Sequence, residues 1–146
     1  MTTSIHKSAL VAYTPAEMFA LVGDIEAYPE FLPWCRSARV TWREADEIKA
    51  CIEMAKGSLQ KSFTTHNRQQ HNKMIEMRLV EGPFKRLEGF WRFDPLGEHA
   101  CKVSLDLEFE FASRMLGMMI GPVFSQIANT LVDSFQQRAV QVYGKR

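Results

Sequence analysis

Apolar and polar residues alternate along this chain with two different periods, and the places where the period changes divide it into elements. Tyr13-Thr14-Pro15-Ala16-Glu17 carries a strand into a helix. Thr14 is placed to cap, Pro15 takes the first helical position, where its missing N–H is not needed, and Glu17 completes a capping box. A helix is expected over residues 15–22, then a second short one over residues 25–28 behind Asp24, limited by Pro29 and Pro33. From Arg36 the period becomes two. Ala38, Val40 and Trp42 alternate with Arg39, Thr41 and Arg43, and Ile48, Ala50, Ile52 and Met54 alternate with Lys49, Cys51 and Glu53. After Gly57, Leu59 and Phe63 share a face with Lys61 and Thr65, and the polar stretch 67–72 is expected to turn. Ile75, Met77 and Leu79 begin the next strand, Leu87, Gly89, Trp91 and Phe93 the one after. Residues 101–111 then alternate without a miss. Beyond Ser113 the period returns to 3.6, with Val123, Ile127, Leu131 and Phe135 in one stripe. Gly117, Gly121 and Pro122 place the firm start of this helix near Val123.

The order is strand, two short helices, six strands and one long helix, with no repeat or linker. Consecutive strands with short connections favour an antiparallel sheet, and a sheet with one polar face needs the long helix to cover the other. This is an α+β layer pair formed by one domain over residues 1–146. A sheet of about seven strands twists and curls, so a straight helix can cover it without filling the space between. The side chains expected to line that space are Val40, Trp42, Ile52, Phe63, Met77, Trp91, Leu105 and Leu107 from strands, with Met119, Val123 and Ile127 from the helix. The alternative is a solid core, the usual fate of alternating apolar faces.

Charge and composition narrow the function classes. With 18 basic against 17 acidic side chains, the net charge of +1 supplies no global field for DNA or another polyanion. Arg36, Arg39 and Arg43, with Lys85, Arg86 and Arg92, could still form local patches for ribosomal RNA, although Glu44, Glu47, Glu53 and Glu88 lie close by. Cys35, Cys51 and Cys101 are odd in number and lack C-x-x-C pairing, which fits thiol fillers in a reducing compartment. No secretory or transit pattern opens the chain, so a cytoplasmic location is expected. Residues 115–124 form the longest apolar run, ten residues, against the roughly 20 of a bilayer span. They could dip into a membrane interface or pack as a buried helix entry. His6, His66 and His71 do not recur at metal-ligand spacing, no phosphate-cradling or nucleophile motif occurs, and the expected inward face offers no carboxylate or histidine for proton transfer. Neither a catalytic residue nor a metal is expected, and no cofactor is required.

Tyr28-Pro29-Glu30-Phe31-Leu32-Pro33-Trp34-Cys35 and Val80-Glu81-Gly82-Pro83-Phe84-Lys85-Arg86-Leu87-Glu88-Gly89-Phe90-Trp91-Arg92-Phe93 resemble the coenzyme Q-binding protein family. That family includes the bacterial ribosome-association toxin and lies within the START-like, polyketide-cyclase-type superfamily. The likeness continues through Asp106-Leu107-Glu108-Phe109-Glu110-Phe111 and Gly121-Pro122-Val123-Phe124. The resemblance implies a helix-grip (START-like, Bet v 1-like) fold with a hydrophobic tunnel for ubiquinone or a related lipid. It further implies a non-enzymatic carrier supporting respiratory electron transport, peripheral at the inner membrane. For the toxin branch it implies binding to the large ribosomal subunit and a block on subunit association, and this is the alternative expectation. Mitochondrial members carry a presequence that this chain lacks, which fits a bacterial protein.

Overall fold

The period-two segments join into one antiparallel sheet in the computed structural model, which describes residues 2–57 and 59–146. The elements are β1 (Thr3–Val11), α1 (Pro15–Gly23), a short 3₁₀ helix (Ile25–Glu30), β2 (Cys35–Glu44), β3 (Glu47–Lys56), β4 (Leu59–Gln70), β5 (Met74–Glu81), β6 (Phe84–Pro95), β7 (Cys101–Phe111) and α2 (Arg114–Tyr143). The sheet order is β1-β7-β6-β5-β4-β3-β2, so β1 and β2 are its edges. Register shifts interrupt β2 against β3, β4 against β5 and β6 against β7, and such bulges sharpen the local bend and twist. Helices cover one face, and the other stays open to solvent.

The capping box forms as the sequence specifies. Glu17 N–H donates to Thr14 Oγ1 at 3.1 Å, and Thr14 N–H donates to Glu17 Oε1 at 2.9 Å. Glu17 also ties the far end of the chain to α1. Arg146 grips its carboxylate with two hydrogen bonds of 2.6 and 2.8 Å, and Tyr143 Oη donates to the Glu17 carbonyl at 2.9 Å. The Arg146 guanidinium, then the Thr14 amide, hold the Glu17 carboxyl down at about 2.

Two expectations about element ends need correction. The stretch 67–72 is not a loop: β4 runs on to Gln70 and the turn shrinks to residues 71–73, with Asn72 at φ 61°. Pairing with β5 from Gln70↔Met74 to Asn67↔Met77 overrides the weak strand preference of these polar side chains. The long helix starts at Arg114 rather than near Val123, because Ser113 Oγ caps it by accepting from Leu116 N–H at 3.2 Å. Gly117 and Gly121 lie over the Phe111 ring, where an added Cβ would make an ordinary contact at 3.5 and 3.6 Å. Pro122 is exposed, so the carbonyl deprived of its partner can reach water. By length and composition α2 could cross a membrane, but here it lies on the sheet with Phe124, Ile127, Ala128, Val132, Phe135 and Ala139 buried.

Ring contacts lock the layers. Phe135 meets Tyr28, Phe31 and Trp91 at 5.4, 5.3 and 5.3 Å between centroids, and Phe124 meets Phe84 and Phe109 at 4.9 and 4.8 Å. These are edge-to-face arrangements, the geometry the aromatic quadrupole favours.

Candidate functional site

An apolar cavity lies between the helix-covered sheet face and α2. The centre of a water molecule can reach about 80 Å³ of it, several times the ~10–15 Å³ that one water needs. Strand β3 contributes Ile52 and Met54, and β4 contributes Phe63, Thr65 and Asn67. Met77, Leu87, Trp91 and Leu107 follow from β5, β6 and β7. Phe124, Ile127, Ala128, Leu131 and Phe135 close the side formed by α2, while Ile25, Tyr28 and Trp34 close one end. Among the described residues the lining carries no charged group. Tyr28 Oη donates to the Val22 carbonyl, and burial pushes its phenol far above the ordinary range.

Six of the eleven expected lining residues meet here: Ile52, Phe63, Met77, Trp91, Leu107 and Ile127. Leu105 is fully buried in the core but outside the cavity lining, and Val40 and Val123 are half-buried and pack against that core. Trp42 and Met119 are misplaced by the simple pattern. A register shift between Val40↔Ala50 and Trp42↔Lys49 turns Trp42 onto the open face, where it is 38% exposed. Met119 belongs to a stripe with Met115 and Met118 on the solvent side of α2, opposite to Ile120 and Phe124, and is 69% exposed.

Asn67 is the lining residue that reading by composition misses. It is 3% exposed, two positions from Thr65 at 4%, and these are the buried polar residues of the described core. Its Oδ1 has no hydrogen-bond partner among the described residues. Continuing the alternation of Phe63 and Thr65 by one more step would have found it.

The open face has a different character. Lys49 Nζ stands 5.5 Å above the Trp42 ring, whose other neighbour is the His66 ring at 5.9 Å. Arg36, Arg68 and Arg78 pair with Glu53, Glu47 and Glu76, and Lys85 and Arg86 pair with Glu110 and with Glu88 and Glu108. Arg39, Arg43 and Lys49 take no acidic partner among the described residues. The patch expected on β2 therefore keeps uncompensated charge, whereas Lys85 and Arg86 on β6 are neutralised and Arg92 lies over the Phe90 ring at 5.8 Å.

The cysteines are unbridged, and burial lifts the Cys35 and Cys101 thiols to about 11, which keeps them protonated. No three His, Cys, Asp or Glu side chains gather as a metal-ligand group among the described residues.

A bent antiparallel sheet wrapped on one long helix around an apolar cavity defines the START-like class of fold. A START superfamily protein from Mycobacterium smegmatis superposes with a TM-score of 0.81 at 22% identity, over 95% of this chain and 98% of that one. The chain belongs to the polyketide cyclase / dehydrase and lipid transport family, whose model matches residues 11–136. Within it, the ribosome association toxin RatA of Pseudomonas aeruginosa is 47% identical over 99% of this chain and 100% of its own length. The mitochondrial coenzyme Q-binding protein coq10 of Schizosaccharomyces pombe is 26% identical over 90% of this chain and 84% of its own.

Proposed function

We propose that this protein is a ribosome-association factor that binds the large ribosomal subunit and opposes its joining with the small one. The observation that carries this reading is the 47% identity to a relative bearing the ribosome-association name, along essentially the whole of both chains. It reverses the ranking that the resemblance first suggested, in which ubiquinone carriage came ahead.

The sheet's open face supplies a docking surface with suitable chemistry. Ribosomal RNA offers phosphates and unstacked bases, and proteins read such bases by stacking them on aromatic rings and guanidinium planes beside free cations. Trp42, with Lys49 over its ring and Arg39 likewise uncompensated on the same face, has that composition on an edge strand with no further strand beyond it. This reading places the protein in the cytoplasm.

Adding purified protein to ribosomes and sedimenting them through sucrose tests the reading. Free subunits should accumulate at the expense of intact ribosomes, with the protein travelling with the large subunit. An unchanged intact-ribosome peak with folded protein left at the top of the gradient would overturn it. The Arg39→Glu variant should release the protein, because RNA contacts made through phosphates fall with each cation removed.

A second reading, that the cavity holds a hydrophobic ligand such as an isoprenoid quinone, is favoured by the charge-free lining. The exposed Met115, Met118 and Met119 stripe would then face a membrane surface during loading. Organic extraction of the purified protein followed by mass spectrometry should recover a quinone or lipid, and extracts free of both count against this reading.

A further inference from the structure

We propose that Asn67 is the polar anchor of the cavity and that the ligand seated there is a neutral amphiphile: an apolar ring or chain carrying one hydroxyl-type hydrogen-bond donor. The inference deepens the second reading above, on which it rests, and is independent of ribosome docking.

The anchor follows from where β4 puts its side chains. Asn67 sits opposite Ile48 on β3 and Met77 on β5, and Thr65 sits opposite Ala50 and Leu79. Neither neighbouring strand offers a polar side chain at those positions. The Asn67 Oδ1 acceptor consequently lies within the fold with nothing donating to it. Burying a carboxamide unpaired costs free energy that a leucine, with the same branching, would avoid. A group that completes the hydrogen bond from within the cavity removes that cost.

Two features narrow the ligand. The lining includes no charged residue, so a carboxylate or phosphate head would enter without a counter-ion and is strongly disfavoured. A neutral head is left: a phenol, a quinol, a sterol-like alcohol or an amide N–H. The space of about 80 Å³ open to water centres suits a single ring better than a long chain, so an extended tail must thread between side chains rather than coil inside. A hydrocarbon without a donor could fill the same space but would leave Asn67 as it is.

The test compares 4-butylphenol with butylbenzene by titration calorimetry on the full chain. The two share ring and tail and differ by the hydroxyl. In a purely apolar cavity the phenol must shed its water without replacement, so it should be the weaker ligand. With the anchor, the phenol should bind on the order of tenfold more tightly, since a site built to hydrogen-bond a hydroxyl discriminates against the analogue lacking it. Asn67→Leu should abolish the preference, bringing the two affinities together or favouring butylbenzene. The wild-type comparison needs no variant and stands even if the variant does not fold. Equal affinities, or tighter butylbenzene, overturn the anchor but leave the cavity a hydrophobic site, as would be found if Asn67 merely held water. Binding of neither compound removes the ligand reading itself and the anchor with it.

Discussion

Strands β3 and β4 show the protein two different faces, and residues one position apart on them have opposite tasks. On the covered face Ile48, Ala50 and Met54 are each 1% exposed, and Thr65 and Asn67 hold the few polar atoms at the wall of a charge-free cavity. On the open face Lys49 and His66 surround the ring of Trp42. The covered face is tightly packed and intolerant of change. The open face is built from side chains whose removal the fold should scarcely feel. A single sheet can thus carry a ligand site and a macromolecular docking surface that mutation can separate.

The largest break in that comparison comes from the covered face. Phe135 is 1% exposed and touches three other rings, so Phe135→Ala should cost about 3–5 kcal/mol. Denaturant unfolding of the variant measures this. A loss below about 1 kcal/mol would mean that α2 does not seal the cavity as described.

Asn67→Leu should have a smaller effect of opposite sign. It replaces an unpartnered buried amide by an apolar side chain of the same branching, whose extra bulk the adjoining cavity can take, and a gain of about 1 kcal/mol is expected. Stability rising as the phenol preference disappears is the pattern expected of a residue retained for binding rather than for folding. A destabilised Asn67→Leu variant would indicate that Asn67 is already satisfied.

Acid probes how the covering helix is fastened. The Glu17 carboxyl is lowered from 4.5 to about 2 by Arg146 and Thr14, so the folded state favours its charged form. The stability this contributes is complete above pH 4.5 and fades as pH falls through about 2. Glu17→Gln should therefore flatten the acid limb of the unfolding profile between those limits. Salt should weaken the same contribution, because the pair is partly exposed.

Much of this architecture is legible in the alternation of residues, because burial on one side of a strand forces period two whatever the partner strands are. The capping box at Thr14 and the unbroken pattern of β7 are local, and both form as written. Placement fails where a non-local event intervenes. Trp42 obeys the alternation until a bulge, invisible in one strand's own sequence, turns it outward. Met119 looks like a core residue by composition, but the inward arc of α2 is set by Ile120, Phe124 and Ile127. Asn67 fails for the opposite reason: a polar residue that reads as turn is kept in a strand by its pairing with Met77. The docking patch was visible as Arg36, Arg39 and Arg43, but which of them lack a carboxylate partner depends on three-dimensional pairing.

The smallest effect on stability should come from Trp42, and it is the most informative about the open face. Its ring is 38% exposed and makes a cation–π contact that at such a site is worth about 0.5–1 kcal/mol. Losing that contact while relieving exposed apolar area should leave Trp42→Ala within about 0.5 kcal/mol of the parent protein. If the open face docks on RNA, the same substitution removes a stacking platform worth about 1–3 kcal/mol per base, so binding to the large subunit should weaken at least several-fold. Cavity binding of 4-butylphenol should stay as it was, because the bulge directs the ring away from the cavity. The reverse result, intact ribosome binding with altered ligand affinity, would show that the two faces are not separate, and the docking surface would have to be sought elsewhere on the molecule.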